Sequence, residues 1–329
     1  MKESKLTFTG EAKRPGGRDV DVCVLTCALT GVLANRRQNP GIPYTPAEIA
    51  DEAKRAYDAG ASVVHIHARN DDGSPTFSPA VFAKIKEEIR SRCPVILNFS
   101  TGTILEDVTD QCTYIRESRP EIAALNMGTM NYSKYSRGRK AFDFDMVFPN
   151  TYEKNIKLLT AMNEAGVKPE LECFDTGHTQ GIWPLVDMGV LKAPLQFSFI
   201  VGVLGGIPGH VESLQLQTKI MPAGSEWEVI AISHGHWRML ATGVVLGGNI
   251  RTGLEDHLYL PNGEMAKSNG ELVEVAARLI KDTGRRPATV EEARQILGLG
   301  APSAANLDVN ARGSGSPSAS SAPNPGQPT

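Results

Sequence analysis

The stretch "TPAEIADEAKRAYDAGASVVHIHA", Thr45 to Ala68, holds the repeating unit of the whole chain. Thr45 is a capping residue, Pro46 suits a first helical turn, and apolar residues follow at helical spacing until Gly60 stops the helix. A short β-branched run, "SVVHIHA", follows at once. A helix feeding a strand of this kind is half of a parallel β/α repeat.

The unit recurs on both sides. Candidate strands are "DVCVLTC", "SVVHIHA", "PVILNFS", "IAALNM", "PELECF", "LQFSFIVG", "WEVIAIS" and "GGNIRTG". Helical patterns lie between most of them, including "SPAVFAKIKEEIRSR" and "NTYEKNIKLLTAMNEAG", with Ser78 and Asn150 as expected caps. Eight such units in one domain of this length predict a (β/α)8 TIM barrel, an α/β fold. A dinucleotide-binding fold is the rival. Its glycine fingerprint belongs after the first strand, where this chain reads "ALTGVLANRR"; the glycine-rich "GVLGGIPG" follows the sixth strand instead.

The chain has 329 residues, 41% of them hydrophobic and 22% charged, enough for a sizeable core. A formal charge of -3 gives no reason to expect nucleic acid or an anionic membrane as partner, and no run approaches a membrane span. The polar start lacks the apolar segment of a signal peptide. Five cysteines, scattered and never spaced as CxxC, suit reduced thiols in the cytoplasm. Residues 1–18 are expected to be a polar extension, 19–309 the catalytic barrel, and 310–329, rich in Gly, Ser and Pro, a disordered tail.

In such barrels the reacting groups sit at the C-terminal ends of the strands. Here those ends carry His65 and His67, then Asn98, Ser100 and Thr101, Asn126, Glu170 and Glu172, Asp175, "SHGH", and Arg251, Glu255 and Asp256. Polar groups of this kind enter a packed interior only when paired or used. His65 and His67 stand two apart on a strand, so both face one side and can converge on an ion. Glu255, Asp256, Glu170 or Glu172 can supply a carboxylate ligand. The plainer reading is two histidines satisfied by backbone or by "NDDG". His234 and His236 share the spacing, but Gly235 between them suggests a turn; His236 is expected to hydrogen-bond substrate or phosphate. The glycines of "GVLGGIPG" suit either an anion nest or a flexible loop. Arg36 and Arg37 are either a solvated face or a reach toward an acidic substrate or cofactor phosphate.

Taken together, "ALTG", "GASVVHIHARNDDGSPTFS", "NFSTG", "ALNMGTMNY", "PELECFDTG", "FIVGVLGGIPG" and "GGNIRTGLEDHLYLPNGEMAKSNGELVEVAARL" resemble the β-keto acid cleavage enzymes, a zinc-dependent (β/α)8 family. The resemblance runs from about Asp19 to about Leu299. It implies an acyl exchange in which a β-keto acid and acetyl-CoA give acetoacetate and a new acyl-CoA. It implies Zn2+ held by His65, His67 and Glu255, a ligand set that other divalent ions would also accept, with Asp256 as base and Arg251 as its charge partner. Ser100, Thr101 and Gly102 would hold the substrate carboxylate, with Asn126 and Glu172 close by. Gly202, Gly205 and Gly206 would meet coenzyme A. The partners expected are small molecules and further copies of the chain, as a dimer or tetramer.

Two positions depart from the family pattern. Relatives that take amino-bearing substrates carry an acid two residues beyond the glycine of "ALTG", where this chain has Leu33. Ala124 stands where some relatives have a hydroxyl. A metal-dependent hydrolase on the same barrel is the alternative function. Its HxH normally follows the first strand and is joined by a carboxylated lysine, for which no strand end here offers a candidate. A structural metal is the non-catalytic alternative, but such sites are usually closed by four protein ligands.

Overall fold

A computed structural model describes residues 21–300; the expectations for residues 1–18 and 310–329 lie outside the described residues. Eight parallel strands close a barrel in chain order: β1 (Leu25–Ala28), β2 (Val63–Ile66), β3 (Ile96–Ser100), β4 (Ile122–Asn126), β5 (Lys168–Cys173), β6 (Gln196–Val201), β7 (Glu226–Ala231) and β8 (Asn249–Thr252). Each overlaps one of the eight runs expected from sequence; Ala28, Lys168 and Glu226 each extend a strand one residue beyond its run.

Helices follow the strands: α1 (Pro46–Ala59), α2 (Pro79–Arg90), α3 (Thr109–Ser118), α4 (Tyr152–Ala165), α5 (Thr176–Gln180), α6 (Trp183–Asp187), α7 (Val211–Ile220), α8 (His236–Val245), α9 (Asn269–Asp282) and α10 (Val290–Ile296). Local chemistry sets their ends. Thr45 and Glu48 form a reciprocal capping box on α1, and Gly60 closes it in the left-handed conformation. Ser78 precedes α2 but makes no side-chain cap bond. Asn150 is not a cap: Thr151 accepts the Lys154 amide, while the Asn150 side chain donates to the carbonyl of Gly128. The hydroxyl one residue on is better placed to receive that amide.

Strand alternation divides the barrel into two faces. Val64, Ile66, Leu97, Phe99, Phe197 and Phe199 pack outward into the main core. Inward, Val63, Ile96 and Ile122 at the strand starts meet Val290, Ala293 and Leu297, so α10 closes the N-terminal end. Above that apolar floor the interior turns polar, with Thr26, His65, Asn98, Glu170, Ser198, Glu228 and Arg251 all buried.

Of the elements without a counterpart in the expected pattern, one overhangs the barrel. After β4 the chain makes an antiparallel hairpin, Met130–Ser136 against Ala141–Phe148. Its root, Met130, joins Phe174, Ile200 and Ile230 in an apolar cluster over the barrel mouth. Midway, Ser133 bridges to Leu204 in the glycine-rich loop after β6. The sequence signal for it is the alternation in "AFDFDMVF".

Candidate active site

The end of β2 presents His65 and His67, and the loop after β8 presents Glu255. His65 Nε2 and His67 Nε2 lie 3.7 Å and 3.4 Å from one oxygen, Glu255 Oε1. Ligands 2.0–2.1 Å from a tetrahedral ion stand about 3.3 Å from one another, so this spacing suits a zinc-sized cation. A second observation supports the fit. Both ring nitrogens of His65 are buried without a hydrogen-bond partner, an arrangement that costs free energy unless something binds there. Burial first, then Arg251, holds the His65 imidazole well below its usual pKa, keeping it in the neutral form a metal requires.

His65 also lies close to Glu170 and Glu172, a second group of possible ligands. Glu170 is already engaged, accepting from Asn98 and from Ser198 Oγ at 2.8 Å. Ser198 also reaches Glu228, whose other oxygen accepts from Thr26. Burial and then Glu170 push the Glu228 carboxyl well above its ordinary range. The deeper acids are therefore satisfied within the barrel, and the mouth-side trio is the better metal site.

Arg251 organises the remaining acids. Its guanidinium grips Asp256 at 2.9 Å and 2.8 Å, reaches Glu255 at 2.7 Å, and lies 3.3 Å from Glu172. Strand register explains the meeting: Arg251 pairs with Thr26 on β1, and Ala28 pairs with His65 on β2. Burial opposes ionisation of Glu255, but Arg251, His67 and His65 hold it well below the usual carboxylate range. Asp256 differs: burial outweighs Arg251 and raises its carboxyl to about 6. Burial raises Glu172 further, to about 8. An acid near 6 beside a metal site is suited to accept and return protons near neutral pH.

The glycine of "ALTG" has a specific task. Gly31 donates its amide to Glu255 Oε2 at 3.0 Å, with φ at +57°. A Cβ there would stand 2.7 Å from Glu255 Cγ. Gly31→Ala should displace Glu255 and weaken metal affinity about 10- to 100-fold, the range for a lost orienting partner. Competition with a metallochromic chelator reads this directly; unchanged affinity would remove Gly31 from the account.

At the end of β3, the Gly102 amide donates to Ser100 Oγ at 3.3 Å, and the Asn126 side chain approaches Gly102. Thr101 instead donates to the Ala124 carbonyl, tying β3 to β4. Ala124 is buried and offers no hydroxyl. Gly202, Gly205 and Gly206 lie in the loop after β6, where a Cβ on Gly205 would collide with the Asn131 carbonyl of the hairpin.

One expectation needs correction. His236 does not face a ligand: its Nδ1 and Nε2 are taken by the Ala231 carbonyl at 2.7 Å and Thr252 Oγ1 at 2.9 Å, deep in the core. His234 is exposed on a short 3-10 turn, so the second pair does not converge. Of the two readings left open for Arg36 and Arg37, the surface one fits: Arg36 donates to the Ile42 carbonyl and pairs with Glu48 at a half-exposed position. Arg37 stays on the surface.

Three residues act here without having stood out in the sequence. Arg69 donates to the carbonyls of Thr30, Gly31, Ala34 and Gly73, fixing the loop that carries Gly31 and Leu33. Asn269 holds the Leu29 carbonyl and the Leu254 amide, the backbone beside Gly31 and Glu255. Tyr132 of the hairpin stands near the acids; burial first, then Glu255, raises its hydroxyl pKa.

Comparison with known proteins identifies relatives of the whole barrel. The chain is 40% identical over 278 residues to the 3-keto-5-aminohexanoate cleavage enzyme of Fusobacterium nucleatum, covering 84% of this chain and 97% of that protein. It is 32% identical over 295 residues to the 3,5-dioxohexanoate:acetyl-CoA acetone transferase of Paraburkholderia graminis, covering 84% and 95%. It is 31% identical over 281 residues to the 3-oxoadipate:acetyl-CoA acetyltransferase of Cupriavidus necator, again covering 84% and 95%. The apo structure of ObcA shares the fold, with a TM-score of 0.68 at 19% identity over 80% of this chain and 66% of that one. Residues 22–299 match the beta-keto acid cleavage enzymes as a family, and the chain belongs to it.

Proposed function

We propose that this protein exchanges acyl groups between a β-keto acid and acetyl-CoA, releasing acetoacetate and a new acyl-CoA. One observation carries the reading: His65, His67 and Glu255 converge beside the bidentate Arg251–Asp256 pair. Relatives named for acetyl-CoA-dependent transfers support the choice of co-substrate. Zn2+ is the metal that this ligand set suits best, and it would supply Lewis-acid polarisation of the keto oxygen.

The side chains divide the remaining work. Ser100 Oγ, the Gly102 backbone and Asn126 Nδ2 hold the substrate carboxylate, while Thr101 keeps that strand end in place. Asp256 takes the C2 proton, and Arg251 keeps it oriented. C2 then bonds to the acetyl carbonyl carbon and displaces the coenzyme A thiolate. The thiolate adds to the original keto carbon, the bond from that carbon to C2 breaks, and the proton returns to C2. Acetoacetate and the new acyl-CoA result, with no oxidation or reduction. Gly202, Gly205 and Gly206 place the loop after β6 where coenzyme A would pass.

The substrate tail is neutral, apolar or acidic in this reading, and not a primary ammonium. Val32 and Leu33 are exposed on the loop after β1. An ammonium tail would lack its partner acid there. The five buried free cysteines fit a reducing compartment, and the reading places the protein in the cytoplasm. Among the described residues no helix is long and apolar enough to cross a membrane.

Purified protein should form acyl-CoA from a panel of β-keto acids only when acetyl-CoA is added. Substrates with an uncharged tail should exceed a 5-amino β-keto acid in kcat/KM by about tenfold or more. Cleavage without acetyl-CoA would instead support the hydrolase on the same barrel. A strong preference for the amino substrate would overturn the reading of Leu33.

A further inference from the structure

The hairpin that overhangs the mouth carries a feature the proposed chemistry has not used. Its turn reads "SRGRK", Ser136 to Lys140, and Lys134 precedes it. Four cations therefore stand at one tip, against two acids, Asp143 and Asp145, in a chain of net charge -3. Asp143 pairs with Arg139 and Lys134, and Asp145 accepts from Ser133. Arg137 and Lys140 are exposed and form no ion pair among the described residues. Beside them Tyr135 and Phe142 meet edge to face at 5.2 Å, yet remain 45% and 56% exposed. Exposed aromatic rings next to unpaired cations form a platform for a base carrying phosphates.

We propose that this tip binds the 3′-phosphorylated adenosine diphosphate end of coenzyme A. The inference rests on the acetyl-CoA reading above and locates the far end of that co-substrate. Distance supports it. The hairpin root lies in the apolar cluster over the barrel mouth. From Met130 to Ser136 an extended strand runs about 20 Å. The pantetheine arm between thioester and nucleotide has a similar reach. The Ser133–Leu204 bridge places the glycine-rich loop along the same path. Arg137 and Lys140 would pair with the phosphates, and the adenine would stack on Tyr135 or Phe142.

The test uses the full chain and two probes. Calorimetry with adenosine 3′,5′-bisphosphate should show binding to the native protein that weakens about tenfold in the double variant Arg137→Ser, Lys140→Asn, as expected for two exposed ion pairs. Asn suits position 140, whose φ is +51°. The ratio of kcat/KM for acetyl-CoA to that for acetyl-pantetheine, which lacks the nucleotide, should fall by a similar factor. Phe142→Ser should lower the same ratio. Equal nucleotide binding by native and double-variant protein, with an unchanged ratio, would overturn the proposal. So would a change of oligomeric state in light scattering with the ratio preserved, because the tip would then contact a second copy. If no exchange activity is found at all, the calorimetry still decides whether the tip is a nucleotide site.

Discussion

Asp256→Asn should lower kcat by about 10²–10⁴-fold while metal content stays at the native stoichiometry. Asp256 is not one of the three converging ligands, and Arg251 remains tied to Glu255 and Glu172 after the change. The amide can still accept one bond from Arg251, but its NH2 now faces a donor. A stability loss of about 1–3 kcal/mol should accompany the lost activity. Elemental analysis beside steady-state kinetics separates the roles. If metal and activity fell in parallel, Asp256 would be holding the ligand shell rather than moving a proton.

Arg251→Met should be the most damaging single change for stability. Arg251 is buried and is the cation shared by Glu172, Glu255 and Asp256. Removing it strands three acids, at a cost on the order of 3–5 kcal/mol. The cost has a pH signature. Glu172 at about 8 and Asp256 at about 6 both lie above the unfolded value of about 4. The native state thus holds these protons longer, so their contribution is present below the unfolded value and lost as pH rises through the folded ones. Arg251 lowers both, so its loss raises them further and deepens the penalty at high pH. Urea denaturation of metal-free protein should show a larger gap between native and variant at pH 8 than at pH 5. A gap independent of pH would mean that Arg251 acts through packing.

Much of this was legible because two periodicities are strict. Helical runs with caps alternate with β-branched strands, and that alternation predicts the barrel without knowledge of any contact. Strand alternation likewise places His65 and His67 on one face, and nothing at longer range disturbs it. The carboxylate partner was less accessible. Glu255, Asp256, Glu170 and Glu172 were equivalent by residue type, and only barrel closure of β8 onto β1 brings Glu255 to the histidines. His236 misled because a strand-end histidine looks the same whether it faces the mouth or turns into the core; the Thr252 hydroxyl that satisfies it lies sixteen residues away. The hairpin was hidden by its polar first strand, although the second strand alternates plainly.

The path of carbon through the reaction tests the central claim most directly. Metal-loaded protein is incubated with an unlabelled β-keto acid and acetyl-CoA carrying 13C in both acetyl carbons, and products are resolved by mass spectrometry. The account predicts that the label appears in the terminal acetyl unit of acetoacetate, that C2 and the carboxylate stay unlabelled, and that the new acyl-CoA carries none. Unlabelled cleavage products formed at the same rate without acetyl-CoA would contradict it.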